Sequence, residues 1–94
     1  MREFYIFSLK YSAGKTVAIW WGHNNCGYEQ DLRQAGRYSE EQVVARADYY
    51  NDGTSTRAIL CDEVDTKATL MVSCDAAFRL HRALTKEQPA EHAS

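Results

Sequence analysis

The sequence has no large charge excess and no long hydrophobic run. Eleven Lys and Arg against thirteen Asp and Glu give a formal net charge of −2, too small to neutralise a phosphate backbone or to imitate one. After Arg2 and Glu3, only residues 4–9 form a mainly apolar run, which is too short for a signal-peptide core or a bilayer span. We therefore expect a cytoplasmic protein without a membrane partner and without strong direct nucleic-acid binding.

The three cysteines also fail to form a disulfide pattern. Cys26, Cys61 and Cys74 are odd in number and widely spaced, whereas small secreted scaffolds have even, closely patterned cysteines. Reduced thiols are therefore expected. Residues 22–27 do not form a glycine-rich phosphate loop, because they lack the lysine and the spacing of a P-loop. No internal repeat is visible in the sequence.

Length and composition favour one small domain. The chain has 94 residues, of which 45% are hydrophobic and 26% charged, and it is shorter than chains that split into several domains. Residues 86–94 have no apolar period. We predict a single domain over residues 1–85 and a flexible C-terminal tail over residues 86–94.

The N-terminal part predicts a β-hairpin. Residues 4–9 and 16–21 are rich in aromatic and β-branched types, with turn residues between them. In the second strand Val17, Ile19 and Trp21 share one face, and Ala18 and Trp20 share the other. The two tryptophans cannot both point inward unless both faces of the sheet are covered, so one of them is a candidate surface anchor.

A stretch rich in glycine and asparagine follows, at residues 22–38. It predicts a long structured loop with a turn of helix at residues 31–35, and loops of this length are often functional. Ser39 and Gln42 then match a capping box, so a helix is expected to begin at Ser39 and to stop near Gly53.

The second half predicts further strands and one more helix. Residues 56–61 read as a third strand, residues 62–65 as a polar connector and residues 68–73 as a fourth strand. A helix at residues 76–84 would be capped by Ser73 or Asp75.

This order of elements predicts an α+β fold. A small, mainly antiparallel sheet of three to four strands would carry one or two helices packed on one face. The predicted core consists of Phe4 or Tyr5, Ile6, Val17, Ile19, Val43, Ala47, Ile59, Val72, Phe78 and Leu80.

Two patterns could carry chemistry, and both have simpler explanations. His23 and Cys26 could share a metal or form a catalytic pair, but the chain has no paired knuckle for a zinc site and no local signature of an oxyanion hole. Glu29 and Asp31 lie beside basic residues and read as solvated surface. We therefore expect neither catalysis nor a cofactor or metal, and keep a cysteine-dependent enzyme using Cys26 and His23 as an alternative.

The aromatic side chains around the loop favour binding instead. Exposed Trp and Tyr are typical interface anchors, since they bury large areas and keep a polar handle. The candidate partner-binding residues are Trp20, Trp21, His23, Asn24, Asn25, Tyr28, Glu29 and Asp31.

Residues 19–41 resemble small proteins encoded by bacteriophages and prophages. The shared pattern is an aromatic strand, an Asn-containing loop, and then Gly27-Tyr28, Asp31-Leu32, Ala35-Gly36, Tyr38 and Ser39-Glu40-Glu41. His23 departs from the pattern, since a proline or another residue is common at its position, and no family role is carried over to it.

The resemblance implies an anti-defence factor of the anti-CRISPR type. Such an inhibitor would act by stoichiometric binding to a host defence protein or ribonucleoprotein complex in the bacterial cytoplasm. Residues 1–57 carry seven acids and seven bases, so contact is expected to depend on shape and aromatic anchors, with Glu29 and Asp31 as local helpers. A nucleic-acid-binding accessory protein and an oligomerising module, such as a homodimer paired through the hairpin edge, remain alternatives.

Overall fold

The protein is an α+β domain built on five short strands. The computed structural model describes residues 2–67 and 72–92, with side chains as far as residue 85. The elements are β1 (Glu3–Ser8), α1 (Leu9–Ser12), β2 (Trp20–Trp21), a 3₁₀ turn (His23–Asn25), β3 (Tyr28–Glu29), β4 (Tyr38–Ser39), α2 (Glu40–Ala45), α3 (Ala47–Tyr50), β5 (Thr56–Leu60), α4 (Cys61–Asp65) and α5 (Cys74–His92). None of the described helices is long and apolar enough to cross a membrane.

Strand β1 is the centre of the sheet, and all its pairings are antiparallel. β5 pairs with β1 from Phe4 to Ser8. Along the opposite edge of β1, β2 pairs at Phe7 and β4 pairs at Glu3 and Phe4. β3 extends the sheet by pairing with β2. The predicted small antiparallel sheet is therefore confirmed.

Helices cover both faces of this sheet, whereas the sequence predicts only one. Tyr5 and Phe7 of β1 point into one apolar cluster, which also receives residues of α4 and α5. Ile6 points into a second cluster with Val43 of α2 and Tyr50 of α3. Both faces are apolar because β1 is hydrophobic at successive positions, and side chains in a strand alternate between faces.

The second predicted strand buries the opposite face from the one predicted to enter the core. Ala18 and Trp20 are fully buried, while Val17 and Ile19 are only half-buried. Trp20 lies between Tyr5 and Phe7, with ring centroids 5.6 and 5.3 Å away, so the largest apolar side chain takes the core position. The strand itself is also shorter than predicted, and helix α1 occupies part of the predicted hairpin turn.

The predicted core is partly confirmed. Tyr5, Ile6, Val43, Ile59 and Val72 are buried; Phe4, Val17, Ile19, Phe78 and Leu80 are half-buried. Ala47 is exposed because the predicted helix breaks at Arg46, whose backbone leaves the helical region (φ −132°, ψ 50°). The break buries Tyr50 in place of Ala47.

The predicted serine caps are confirmed at the beginning of α2 and of α5. Ser39 Oγ accepts a hydrogen bond from Gln42 N at 3.1 Å, and Ser73 Oγ accepts one from Ala76 N at 3.1 Å. The Gln42 side chain donates to Tyr50 instead of reaching back to Ser39. Gly53 has the expected left-handed conformation (φ 83°).

The C-terminal half differs from the prediction in two places. Residues 62–65, predicted as a connector, belong to α4, where Cys61 and Val64 are buried at helical spacing. Of the predicted strand at 68–73, residues 68–71 lie outside the described residues, and Ser73 forms a bridge with Val17. Helix α5 continues to His92, so its backbone includes residues assigned to the tail, whose flexibility stays a prediction.

Candidate protein-binding surface

Three tyrosines on one side of the domain are exposed. Tyr28 is 52% exposed, Tyr11 46% and Tyr49 40%, although single aromatic side chains of this size are usually more deeply covered. The half-buried Trp21 lies between them. We call these four side chains, Tyr11, Trp21, Tyr28 and Tyr49, the tyrosine surface.

The rings of the tyrosine surface form two edge-on pairs. Tyr11 packs edge-on against Tyr28, with centroids 4.7 Å apart, and Trp21 packs edge-on against Tyr49 at 5.1 Å. Trp21 and Tyr28 are direct cross-strand neighbours on β2 and β3. Strand pairing therefore sets the two ring pairs side by side in a row, in which Tyr11 and Tyr49 are the ends.

Two shallow hollows lie on either side of the middle of this row. One, of about 200 Å³, is bounded by Tyr11, Trp21 and Tyr28 together with hydroxyl-bearing residues of β1 and β5. The other, of about 80 Å³, is bounded by Trp21, Tyr28, Tyr49 and Asn25. Trp21 and Tyr28 are walls of both hollows and form the ridge between them.

Each ring is held by a different element. Tyr11 lies on α1, which begins where Ser8 Oγ accepts a hydrogen bond from Tyr11 N at 3.1 Å. Tyr49 lies on α3 next to the buried Tyr50, whose ring centroid is 5.0 Å away. Because Tyr50 is anchored in the core, Tyr49 has a fixed position at the surface.

The turn between β2 and β3 depends on two asparagines. Asn24 and Asn25 have positive φ values of 55° and 61°, and Cys26 N donates to His23 O at 2.9 Å. This is the geometry of a type I′ hairpin turn, which favours Asn and Gly because other residues are strained at positive φ. Both asparagines thus adopt the left-handed conformation.

Two buried tyrosines fasten this turn to the rest of the domain. Tyr38 OH donates to Gly22 O and accepts from Asn25 N, and Tyr50 OH donates to Asn25 Oδ1 at 3.0 Å. Burial raises the pKa of Tyr38, so its hydroxyl remains a donor at neutral pH. Asn25 is therefore held by internal hydrogen bonds through both its backbone and its side chain.

Close backbone contacts explain two of the loop glycines. A Cβ atom on Gly22 would lie 2.2 Å from Cys26 O, and one on Gly36 would lie 2.6 Å from Gly22 O. Gly36 N also donates to Trp21 O at 2.9 Å. Residues 22–38 therefore contain more regular structure than the predicted loop, since β3 pairs with β2, β4 pairs with β1, and Gly22 forms a bridge with Ala35.

Positive charge lies at both ends of the tyrosine surface. Lys10 Nζ is 5.3 Å from the ring centroid of Tyr11, and Arg46 Cζ is 4.9 Å from that of Tyr49. Both distances are typical of cation–π contacts. Among the described residues that line the two hollows, Lys10 is the one charged side chain. One cation therefore lies near each end of the row, and the carboxylate of Asp52 lies beside the larger hollow, where it accepts from Ser55 N and Thr56 N.

The structure brings together only some of the predicted site residues. Trp21, Asn25 and Tyr28 meet at the tyrosine surface, and Asn24 is exposed in the adjoining turn. His23, at the start of that turn, is also exposed but lines a separate cleft with Tyr5 and Asp65. The other three lie elsewhere. Trp20 is fully buried, Glu29 follows Tyr28 in β3 and points to the opposite face, and Asp31 is paired with Arg33 at 2.8 Å.

Sequence reasoning missed Tyr11, Tyr49, Lys10 and Arg46. Tyr11 is in a segment that reads as a turn, and its nearness to Tyr28 arises only when α1 folds beside β3. The neighbours Tyr49 and Tyr50 do carry a usable signal. Successive residues of a helix point about 100° apart, so both rings cannot enter the same core.

A second cleft, of about 350 Å³, lies where β1 meets α4. Tyr5 OH donates to Asp65 Oδ1 at 2.8 Å, and Arg37 Nη2 lies 2.9 Å from Asp65 Oδ2. Burial and the bond to Asp65 raise the pKa of Tyr5. These charged groups are satisfied by one another, so the cleft reads as a structural junction between β1, the 31–37 segment and α4.

His23 and Cys26 occupy the first and last positions of the type I′ turn, and both are exposed. No hydrogen bond joins their side chains in the described structure, and no group of three or more His, Cys, Asp or Glu there could hold a metal ion. Cys61 and Cys74 are buried and free. Burial raises the pKa of the Cys61 thiol to about 12.

Comparisons with known proteins leave the surface as the main evidence on function. No protein-family model, curated protein or solved structure matches the chain.

Proposed function

We propose that this protein acts by stoichiometric binding, without catalysis, and that it docks on a protein partner through the tyrosine surface. The observation that carries the proposal is the pair of edge-on aromatic contacts that the β2–β3 pairing sets side by side, with three exposed tyrosines around the half-buried Trp21. Tyr and Trp are enriched in the centres of protein interfaces because they combine a large apolar area with a polar tip. Exposed apolar side chains that lie in contact with one another are characteristic of interaction sites.

The exposed rings can supply enough free energy for docking. An aromatic side chain has about 150–250 Å² of surface, so a half-exposed tyrosine can still bury about 100 Å². At about 25 cal/mol per Å², that gives about 2–3 kcal/mol for each tyrosine. Three such residues around one tryptophan match the usual picture of a small cluster that dominates an interface.

The surface is also rigid before binding. Asn25 is fixed by Tyr38 and Tyr50, and Trp21 is fixed by pairing with Tyr28 and by packing on Tyr49. A preorganised surface loses little side-chain entropy when a partner binds. This favours tight stoichiometric inhibition over transient contact.

The partner is proposed to be a nucleic-acid-handling host defence complex, and the protein an anti-CRISPR type inhibitor. This part of the proposal rests on the resemblance of residues 19–41 to proteins of phages and prophages. The weak net charge supports contact with a protein component of the complex, because binding to the nucleic acid itself would need many more cations.

The test is phage survival in bacteria that carry one defined CRISPR system each. Expression of the protein is expected to restore plaque formation by a targeted phage in at least one strain, and Tyr28→Ala is expected to abolish the effect. Val44→Ser is the matched control, since Val44 is exposed on α2 and lies outside the tyrosine surface. Circular dichroism should show that both variants fold.

Two results would contradict the proposal. Equal protection by Tyr28→Ala and the unchanged protein would remove the tyrosine surface from the mechanism. A monodisperse dimer in light scattering that Tyr28→Ala converts to monomers would instead assign the surface to self-association.

A further inference from the structure

We infer that the tyrosine surface binds an extended, proline-rich segment of its partner in the polyproline II conformation, with acidic residues at the ends of that segment. This inference rests on the proposed function, because it specifies the partner of the same surface. Three features of the surface support it: its shape, its hydrogen-bond donors and its charge.

The shape consists of two aromatic hollows divided by an aromatic ridge. Trp21 and Tyr28 form the ridge, Tyr11 closes one hollow and Tyr49 closes the other. A polyproline II helix has three residues per turn and presents successive pairs of side chains to one side, so it fits into consecutive slots between aromatic walls.

The donors match a ligand that offers carbonyl groups and few N–H groups. Within the described part of the chain, no residue accepts a hydrogen bond from the hydroxyls of Tyr11, Tyr28 and Tyr49 or from Trp21 Nε1. A polyproline II backbone has no internal hydrogen bonds, and proline contributes only a carbonyl. Four outward donors on an aromatic surface therefore complement it.

The charge selects the flanking residues of the segment. Lys10 lies over Tyr11 at one end of the row, and Arg46 lies over Tyr49 at the other. The described lining of the hollows between them contains no carboxylate. Acidic residues beside the proline core would approach these cations, whereas basic residues would be repelled.

A single-stranded nucleic acid fits the same surface less well. Base stacking needs open ring faces, but Tyr11 meets Tyr28 edge-to-face, as Trp21 meets Tyr49, and Lys10 and Arg46 cover part of the end rings. Two cations on a chain of net charge −2 also provide little attraction for a phosphate backbone.

The test is a calorimetric titration of the full chain with synthetic peptides of about ten residues. The probe has a Pro-Pro-Leu repeat between glutamate-containing ends. The controls are the same peptide with alanine in place of proline, a peptide with lysine-containing ends, and an oligothymidylate of similar length. We expect saturable binding of the first peptide, with at least about tenfold weaker binding of the other three probes.

Variants connect the binding to the named groups. Tyr28→Ala should weaken it at least about tenfold, and Tyr28→Phe, which keeps the ring, by about two- to tenfold through the lost donor. Arg46→Ala should weaken it by about two- to fivefold. Its matched control is Arg79→Ala, because Arg79 is exposed and lies on α5, where it pairs with Asp75 at 2.9 Å.

Several outcomes would overturn the inference. These are equal binding of the alanine peptide, preferred binding of the oligothymidylate, or no saturable binding of the proline peptide. If one of them occurs while phage protection still depends on Tyr28, the inference fails and the proposed function stands. If protection is also independent of Tyr28, both fail.

Discussion

The hydroxyl of Tyr38 should stabilise the domain more than the hydroxyl of Tyr50, the other buried tyrosine that bonds to Asn25. Tyr38 is 2% exposed, and its hydroxyl lies between Gly22 O, to which it donates, and Asn25 N, from which it accepts. Tyr38→Phe keeps the ring and removes both hydrogen bonds. Tyr50→Phe is the matched comparison, because Tyr50 is also buried and its hydroxyl also makes two hydrogen bonds, donating to Asn25 Oδ1 and accepting from Gln42 Nε2.

The expected magnitudes follow from what each substitution leaves unpaired. Gly22 is buried, so its carbonyl oxygen cannot recover a water molecule, and an unsatisfied buried group costs about 1–3 kcal/mol. Asn25 and Gln42 are exposed, so the N–H and side-chain groups that lose a tyrosine hydroxyl there can bond to water. Tyr38→Phe should therefore lower the free energy of unfolding by about 1–3 kcal/mol, and Tyr50→Phe by about 0.5–1 kcal/mol.

Urea unfolding followed by circular dichroism would measure both changes. For a domain of this size, 1 kcal/mol corresponds to about 4–8 °C in Tm, so thermal unfolding gives an independent reading. The slope of the urea transition should stay constant, because the unfolded state exposes the same surface. A loss for Tyr38→Phe that is no larger than the loss for Tyr50→Phe would refute the reasoning.

Four further predictions concern the backbone, a carboxylate, the reactivity of the thiols and the pH dependence of unfolding. Gly22→Ala should lower the free energy of unfolding more than Gly14→Ala, as measured by urea unfolding, because a Cβ on residue 22 would lie 2.2 Å from a backbone carbonyl oxygen. A Cβ on residue 14 would meet open space, so Gly14→Ala should cost only the strain of its positive φ of 78°, about 1 kcal/mol. Burial raises the pKa of Asp52, but hydrogen bonds from three backbone N–H groups outweigh this, so the net pKa lies below its ordinary value. Asp52→Asn should cost about 0.5–1 kcal/mol at pH 7; the cost should begin to fall below about pH 4, where the unfolded carboxylate becomes protonated, and should vanish only below the lowered pKa of the native carboxylate. A thiol reagent at pH 8 should modify the exposed Cys26 quickly and the buried Cys61 slowly. Cys26→Ser should therefore remove the fast phase of the reaction. Because burial raises the pKa of Cys61 to about 12, unfolding should become easier between about pH 8.5 and pH 12, where only the unfolded thiol ionises; an unchanged urea midpoint there would contradict this.

Local sequence rules determined the parts of this fold that depend on neighbouring residues. Ser39 and Ser73 cap helices because their hydroxyls reach backbone N–H groups three residues ahead. Asn24 and Asn25 form a tight turn because they tolerate positive φ. The α+β class and the strands at β1 and β5 follow from side-chain pattern alone.

Burial of the two tryptophans was decided by tertiary structure. The sequence requires Trp20 and Trp21 to face opposite ways, but it does not say which side of the sheet will be more deeply covered. Trp20 is buried because Tyr5 and Phe7 supply matching rings from β1, while Trp21 meets a thinner layer formed by Tyr49 and Tyr50. That choice requires contacts between residues far apart in the chain.

The candidate site is likewise a product of tertiary packing. Tyr11, Trp21, Tyr28 and Tyr49 come from four different elements, and no local pattern links them. The sequence by itself supplied the aromatic residues, the Asn turn and the near-neutral charge. Only the folded chain could align the rings, since α1 and α3 approach β2 and β3 through long-range burial, and the sequence does not specify the resulting distances.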